Sequence, residues 1–404
     1  MFELNNGLRV PSPSNLMLIL TQDCQLRCSY CFEEHRHNEI MSFDVAKRAI
    51  DFLWECTRKD HRIPSISLFG GEPMLMWDEL IVPIIDYIRN NFAYFKINMT
   101  TNGLLLNNER LNYLRTNNVT FMLSIDGAEN GQNATRRYLN GKGTFSDLES
   151  IIDLILQYTP TTPFRMTVTP DNVQYLYESV EWFQQKGIYQ LRAFPNIYCD
   201  WSDEALHILD EQLKKYNQYL YYHFTNDGMP LVFDIYEYYF KKILIKQYEI
   251  DNNLHRSAYF CQTCNKCGIG LLGNFMCNYQ GDLFTCDRYM IRDLNNPCFV
   301  GNIFDGIDID RINKLYEMCD KTLYNPNLDC KSCKLDNICS GGCIPVNFQI
   351  TGDFSQVPDS YCKYNCIIYD NVVSLLNKFE NEKSSNNFKE YFQNIVRTER
   401  LYVG

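Results

Sequence analysis

Between residue 15 and about residue 195 the chain alternates two kinds of pattern. Short, nearly continuous apolar runs fall at 16–20, 66–69, 96–99, 120–125, 165–169 and 190–194. Longer segments with apolar residues every three or four positions fall at 42–54, 80–89, 109–115, 145–156 and 176–185. The first kind predicts buried strands and the second amphipathic helices. Ser42 stands where a helix N-cap is expected, with Asp44 in the first turn. Six such units in series predict an α/β fold with a parallel sheet and right-handed crossovers. A sheet of this kind can curl into a full or partial barrel, here a partial (β/α)6 TIM-like barrel, with its functional loops at the carboxyl ends of the strands.

Beyond residue 200 the pattern changes. Segments 202–226 and 231–247 read as helices rich in tyrosine, a stripe better explained by packing than by a cofactor. From 260 to 366 glycines and turns dominate, and 13 of the 18 cysteines fall there. Segments 371–380 and 388–396 read as closing helices across a polar loop. The expected organisation is therefore a core at 1–200, a helical bridge at 201–260, a loop-rich cysteine domain at 261–366 and terminal helices at 367–404.

Composition narrows the partners. A net charge of −11 over 404 residues argues against nucleic acid or an anionic membrane, both of which need a basic face. No run of about 20 apolar residues is present, and residues 1–6 lack the charged and apolar regions of a secretory signal. Eighteen cysteines in a large chain without an export signal read as metal ligands rather than disulfides. A reducing, oxygen-poor cytoplasm is the expected location.

Cys24, Cys28 and Cys31 stand in a C-x3-C-x2-C spacing. Three thiolates on one short loop hold three irons of a [4Fe–4S] cluster and leave the fourth open to a ligand. Zinc is the alternative, with His35 or His37 as a fourth ligand. The spacing resembles that of the radical S-adenosylmethionine (SAM) enzymes. By that resemblance Tyr30 lies against the adenine of SAM. Gly70, Gly71, Glu72 and Pro73 form the segment that holds the SAM amino group, the glycines allowing backbone approach and Glu72 accepting from the ammonium. Thr101 and Asn102 offer hydrogen bonds in the same cavity. Ser124, Asp126 and Arg137 reach the SAM carboxylate and ribose, Arg137 through its planar fork. Arg136 and Arg137 also read as a solvated pair.

A second constellation runs Cys330-x2-Cys333-x5-Cys339-x3-Cys343, then Cys362, with Cys261, Cys267 and Cys286 upstream. It resembles the SPASM extension, which carries two further [4Fe–4S] clusters. The resemblance assigns Cys261, Cys267, Cys286 and Cys343 to the first and Cys330, Cys333, Cys339 and Cys362 to the second. Zinc is the alternative here too. Cys264 and Cys277 compete for the first site and Cys366 for the second. Cys56 and Cys199 read as buried small apolar residues, and Cys298 and Cys319 have no assignment. Asp287, directly after Cys286, is either a base near a cluster or a carboxylate that orders its loop. In the anaerobic sulfatase maturases an aspartate at this place is the proposed proton acceptor.

The resemblance implies a radical SAM/SPASM enzyme with three [4Fe–4S] clusters and SAM, reduced by a flavodoxin or ferredoxin. Such an enzyme uses a 5′-deoxyadenosyl radical to take hydrogen from an unactivated carbon. The subfamily motifs look most like maturases of ribosomally made precursor peptides, with a Cys thioether crosslink (sactipeptide or ranthipeptide type) as first choice. Carbon–carbon crosslinking or epimerisation belongs to the same group. Fourteen residues before Asn15 leave no room for a winged leader-binding domain, so a separate leader-binding protein or direct binding to the barrel is expected. An anaerobic sulfatase maturase, making formylglycine, is the alternative enzyme. A non-catalytic iron–sulfur or zinc scaffold is the alternative class.

Overall fold

The structure is a computed structural model that describes residues 12–33, 39–226, 230–251, 273–290, 295–319, 323–335 and 341–381, with a few isolated positions outside these spans. Six strands lie side by side in chain order, all parallel. They are β1 (Asn15–Thr21), β2 (Ser65–Gly70), β3 (Lys96–Thr101), β4 (Val119–Ser124), β5 (Phe164–Val168) and β6 (Leu191–Pro195). Helices α1 (Phe43–Arg58), α2 (Val82–Asn91), α3 (Asn108–Thr116), α4 (Glu129–Thr135), α5 (Phe145–Tyr158) and α6 (Leu176–Gln185) fill the crossovers. Ser42 caps α1, its hydroxyl accepting from Val45 N at 3.3 Å.

Side chains alternate along these strands in a way that explains the cavity. On β5, Phe164, Met166 and Val168 are buried while Arg165 and Thr167 are half-buried. The buried set joins one apolar core with Leu148 and Ile152 of α5 and Val180 and Phe183 of α6. Arg165 and Thr167 instead line a cavity of about 620 Å³, together with Met17 of β1, Phe69 of β2, Thr100 of β3, Met122 of β4 and Phe194 of β6. One cavity touching all six strands requires that the sheet curl around it.

The sheet does not stop at β6. Strand β7 (Asn274–Cys277) pairs parallel with β1, and β8 (Asp282–Phe284), β9 (Phe299–Asn302) and β10 (Gly306–Ile307) continue it antiparallel. The region expected to be loop-rich thus also extends the core sheet. These strands are two to four residues long, too short for a period to show in sequence.

Helices α7 (Asp203–Thr225) and α8 (Asp234–Asp251) carry the tyrosine stripe. Tyr216 and Tyr236 are fully buried, and the Tyr216 hydroxyl bonds Leu231 O and Phe233 N, so the stripe is core. Helices α9 (Ile309–Cys319) and α10 (Ile344–Thr351) were not expected. Helix α11 (Asp359–Asn381) is a single helix through residues 366 and 367, so the boundary expected there falls inside it. It is tied to α7 by Asn371, which donates to Asp210 Oδ1 at 2.7 Å. The helix expected at 388–396 lies almost wholly outside the described residues. No helix among the described residues is long and apolar enough to cross a membrane.

Candidate active site

The cysteine loop leaves the end of β1 and is pinned from two sides. Gly71 N donates to Thr21 O and Glu72 N to Asp23 O, both at 2.8 Å. On the other flank Arg27 N donates to Arg137 O at 2.8 Å and Ser29 N to Thr135 O at 3.0 Å. Gly70 and Gly71 are required by this packing. A Cβ on Gly70, at φ +138°, would lie 2.1 Å from Thr21 O, and one on Gly71 would lie 2.3 Å from Asp23 O. The glycines therefore admit the backbone of the cysteine loop, and both also border the cavity.

Glu72 is 1% exposed and its carboxylate is fully engaged. Oε1 accepts from Met74 N (3.0 Å) and Thr101 Oγ1 (2.7 Å), and Oε2 accepts from Asn102 N (2.8 Å). Burial pushes its carboxyl up, against these three bonds. The residue thus locks the ends of β2 and β3 together while it faces the cavity. Pro73 opens the short helical turn that Glu72 caps and is not on the cavity wall. Asn102 Nδ2 lies 3.8 Å from Cys24 Sγ, so the end of β3 touches the first cysteine.

Tyr30, Asp126 and Arg136 form one network. Asp126 is fully buried, and its Oδ2 accepts from Tyr30 Oη at 2.8 Å and Thr135 Oγ1 at 2.6 Å. Arg136 Nη1 donates to Tyr30 Oη at 2.7 Å. Tyr30 and Ser124 line the cavity; Asp126 stands behind Tyr30 and does not. Of the arginine pair, Arg137 is exposed and bonds Asn133 O. Arg136 is 7% exposed, faces the cavity, and its Nε has no hydrogen-bond partner. The cavity arginine is thus Arg136, which corrects the expectation for Arg137. The two adjacent side chains leave the backbone in opposite directions where extended chain follows α4.

Cys24, Cys28 and Cys31 border this cavity, and so do Asp287, Arg288 and Cys343. Burial pushes the Cys24 thiol up to about 12 and that of Cys31 to about 11. Sulfurs so placed need a bound cation to become thiolates. Among the described residues no three His, Cys, Asp or Glu converge as ligands of a single ion. What the loop presents is an all-sulfur donor set with backbone donors aimed at it, which fits an iron–sulfur cluster. Leu26 N donates to Cys24 Sγ at 3.3 Å, and Glu33 N is directed at Cys31.

The same two-residue N–H···S turn recurs in the second constellation. Leu335 N reaches Cys333 Sγ at 3.5 Å and Gly341 N reaches Cys339 Sγ at 3.2 Å, while Arg288 N is directed at Cys286. None of Cys56, Cys199, Cys277 or Cys298 has this feature. Cys277 lies in β7, fully buried in the sheet, which makes it core rather than a competing ligand. Cys56 and Cys199 are half-buried against the core rather than enclosed, and Cys298 and Cys319 are enclosed. Cys362 and Cys366 stand one turn apart on α11. Cys362 neighbours Cys339 and Cys330, and Cys366 neighbours Cys333, so both border the same group. Cys261, Cys264, Cys267, His35 and His37 lie outside the described residues. Sequence reasoning missed Arg136 and Arg165 as cavity residues; the only signal for Arg165 was a charge at an inward position of a strand pattern.

Residues 18–183 match the Radical SAM superfamily. That segment is a Radical SAM domain, and the chain is an enzyme. An uncharacterized protein of Methanocaldococcus jannaschii is 33% identical over 44% of this chain, which spans 61% of that protein's length. A cysteine-type anaerobic sulfatase-maturating enzyme of Clostridium perfringens is 23% identical over 83% of this chain and 89% of its own. Among solved structures, native anSMEcpe with bound AdoMet and Cp18Cys peptide superposes with a TM-score of 0.69 at 21% identity, covering 91% of this chain and 99% of that one. Streptococcus suis SuiB bound to precursor peptide SuiA gives 0.54 at 16%, covering 87% and 76%. The radical SAM fold is therefore shared, and the likeness continues through the C-terminal extension.

Proposed function

We propose that this radical SAM enzyme is a maturase acting on a cysteine-bearing precursor peptide, with a Cys thioether crosslink as its product. One observation carries the reading: a single cavity of about 620 Å³ is lined both by the amino-terminal cysteine loop and by Asp287, Arg288 and Cys343. Such a volume holds a nucleotide with room for part of a peptide. The bound peptides of anSMEcpe and SuiB support the substrate class. Anaerobic sulfatase maturation is the second reading, favoured by the extent of the clostridial match and by Asp287 on the cavity wall.

Cys24, Cys28 and Cys31 would hold the first cluster, with SAM beside it. Together these supply, when bound, the 5′-deoxyadenosyl radical that removes substrate hydrogen. Tyr30 walls the nucleotide and is fixed by Asp126. Glu72, Thr101 and Asn102 face its amino group, and Ser124 its ribose. The free Nε of Arg136 takes the carboxylate in place of Arg137. Cys286 and Cys343, with Cys261 and Cys267, belong to a second cluster; Cys330, Cys333, Cys339 and Cys362 belong to a third. Asp287 accepts the product proton. A flavodoxin or ferredoxin serves as donor, and a leader-binding protein accompanies the peptide.

The test is anaerobic co-expression with any short cysteine-bearing reading frame found beside this one, followed by mass spectrometry. The expected peptide has lost a hydrogen pair and kept its sulfur. Loss of sulfur from a sulfatase-derived peptide, with the neighbouring peptides unchanged, selects formylglycine formation.

A further inference from the structure

Arg165 sits near the middle of β5 with its guanidinium on the cavity wall. It is stacked over Phe194, Cζ 5.6 Å from the ring centroid, and makes no hydrogen bond to another described residue. Arg288 reaches the same cavity from beyond β8, held between two rings, 5.3 Å from Phe32 and 5.4 Å from Tyr198. Burial, and then the like charge of Arg288, push Arg165 below the usual arginine range. Two carboxylates stand near. Asp234 is engaged by Ala193 N at 2.9 Å, and Asp287 lies with its Oδ1 3.8 Å from Cys286 Sγ. Neither closes a bidentate pair with Arg165. A guanidinium in a cavity wall with no hydrogen-bond acceptor, beside a second one, keeps its donors available to an anionic ligand.

SAM has one carboxylate, and the Arg136 Nε, which has no hydrogen-bond partner, answers it beside Cys28 and Tyr30. Arg165 and Arg288 form a separate group, with Asp287 and Phe194. We propose that Arg165 and Arg288 form an anion clamp for a carboxylate of the substrate peptide, an Asp or Glu side chain next to the reacting cysteine. This rests on the peptide reading above. The stacking rings fix each fork in its plane, and a carboxylate is favoured over an amide because it brings a negative charge and two acceptor oxygens.

Anaerobically reconstituted full-length enzyme with SAM is titrated with the capped peptides acetyl-Gly-Cys-X-Gly-amide and acetyl-Gly-X-Cys-Gly-amide, X being Asp, Glu, Asn or Gln, by equilibrium dialysis. The carboxylate peptides of one series should bind about tenfold more tightly than their amide partners, as for a charge-assisted hydrogen bond. Arg165→Gln and Arg288→Gln should bring that ratio to about one, and Arg165→Lys should retain part of it. Equal binding of acid and amide peptides by the unaltered enzyme overturns the clamp while leaving the peptide reading in place. A raised Kd for SAM in Arg165→Gln with the ratio intact also overturns it and moves Arg165 to the nucleotide. Failure of every peptide to bind counts against the peptide reading itself.

Discussion

The two cysteine regions of this enzyme are built differently. The loop at 24–31 is fastened to a finished scaffold: the end of β1, the Gly70–Gly71 approach and residues 135–137 at the end of α4 bond its backbone on both flanks. Among its described residues, the region at 330–366 has no strand of the main sheet. Its cysteines sit in turns, at the N-cap of α10 and on α11, with side-chain bonds such as Tyr238 Oη to Ile338 O at 2.7 Å holding the turns in place. Yet both aim N–H groups at sulfur in the same way. The difference leads to the expectation that sheet geometry holds the first site without metal, whereas the second would depend on the proposed cluster for order.

Replacing sulfur tests that contrast most strongly. Cys24→Ala, Cys28→Ala and Cys31→Ala together should abolish deoxyadenosine formation while the thermal transition stays close to that of the parent. Cys330→Ala, Cys333→Ala and Cys339→Ala together should lower the iron content by about four from about twelve and shift the transition much further. Equal shifts in the two triple variants would refute the contrast.

Next in size is Gly71→Ala. Its Cβ would meet Asp23 O, so a loss of about 1–3 kcal/mol in denaturant unfolding is expected, with SAM cleavage falling as the loop moves. Undiminished cleavage would show that the loop does not need this contact. Arg136→Gln should raise the Kd for SAM about tenfold, and Arg137→Gln should leave it near the parent value; the reverse order would restore Arg137 to the cavity.

The smallest effect concerns Asp234 at the start of α8. Burial pushes its carboxyl up to about 6. Because this folded value lies above the unfolded one of about 4, its neutral form adds stability that is complete below about 4 and lost as pH rises through about 6. Asp234→Asn should flatten that part of the Tm–pH profile, and an unchanged profile would show that Asp234 titrates as it does unfolded.

What the sequence determined by itself was local. The order of strands and helices, the Ser42 cap and the cysteine spacing are short-range patterns, and each depends on neighbours within a few residues. Tertiary structure alone decided which arginine of an adjacent pair enters the cavity, that Asp126 stands behind Tyr30, that Gly70 and Gly71 yield to Thr21 and Asp23, and that β7 joins β1 from more than 250 positions away. These outcomes depend on which backbone crosses which, and no periodicity along one strand or helix encodes that. Arg165 marks the boundary between the two: its inward position was readable from strand alternation, but its lack of a partner appears only once six strands have curled around the same cavity.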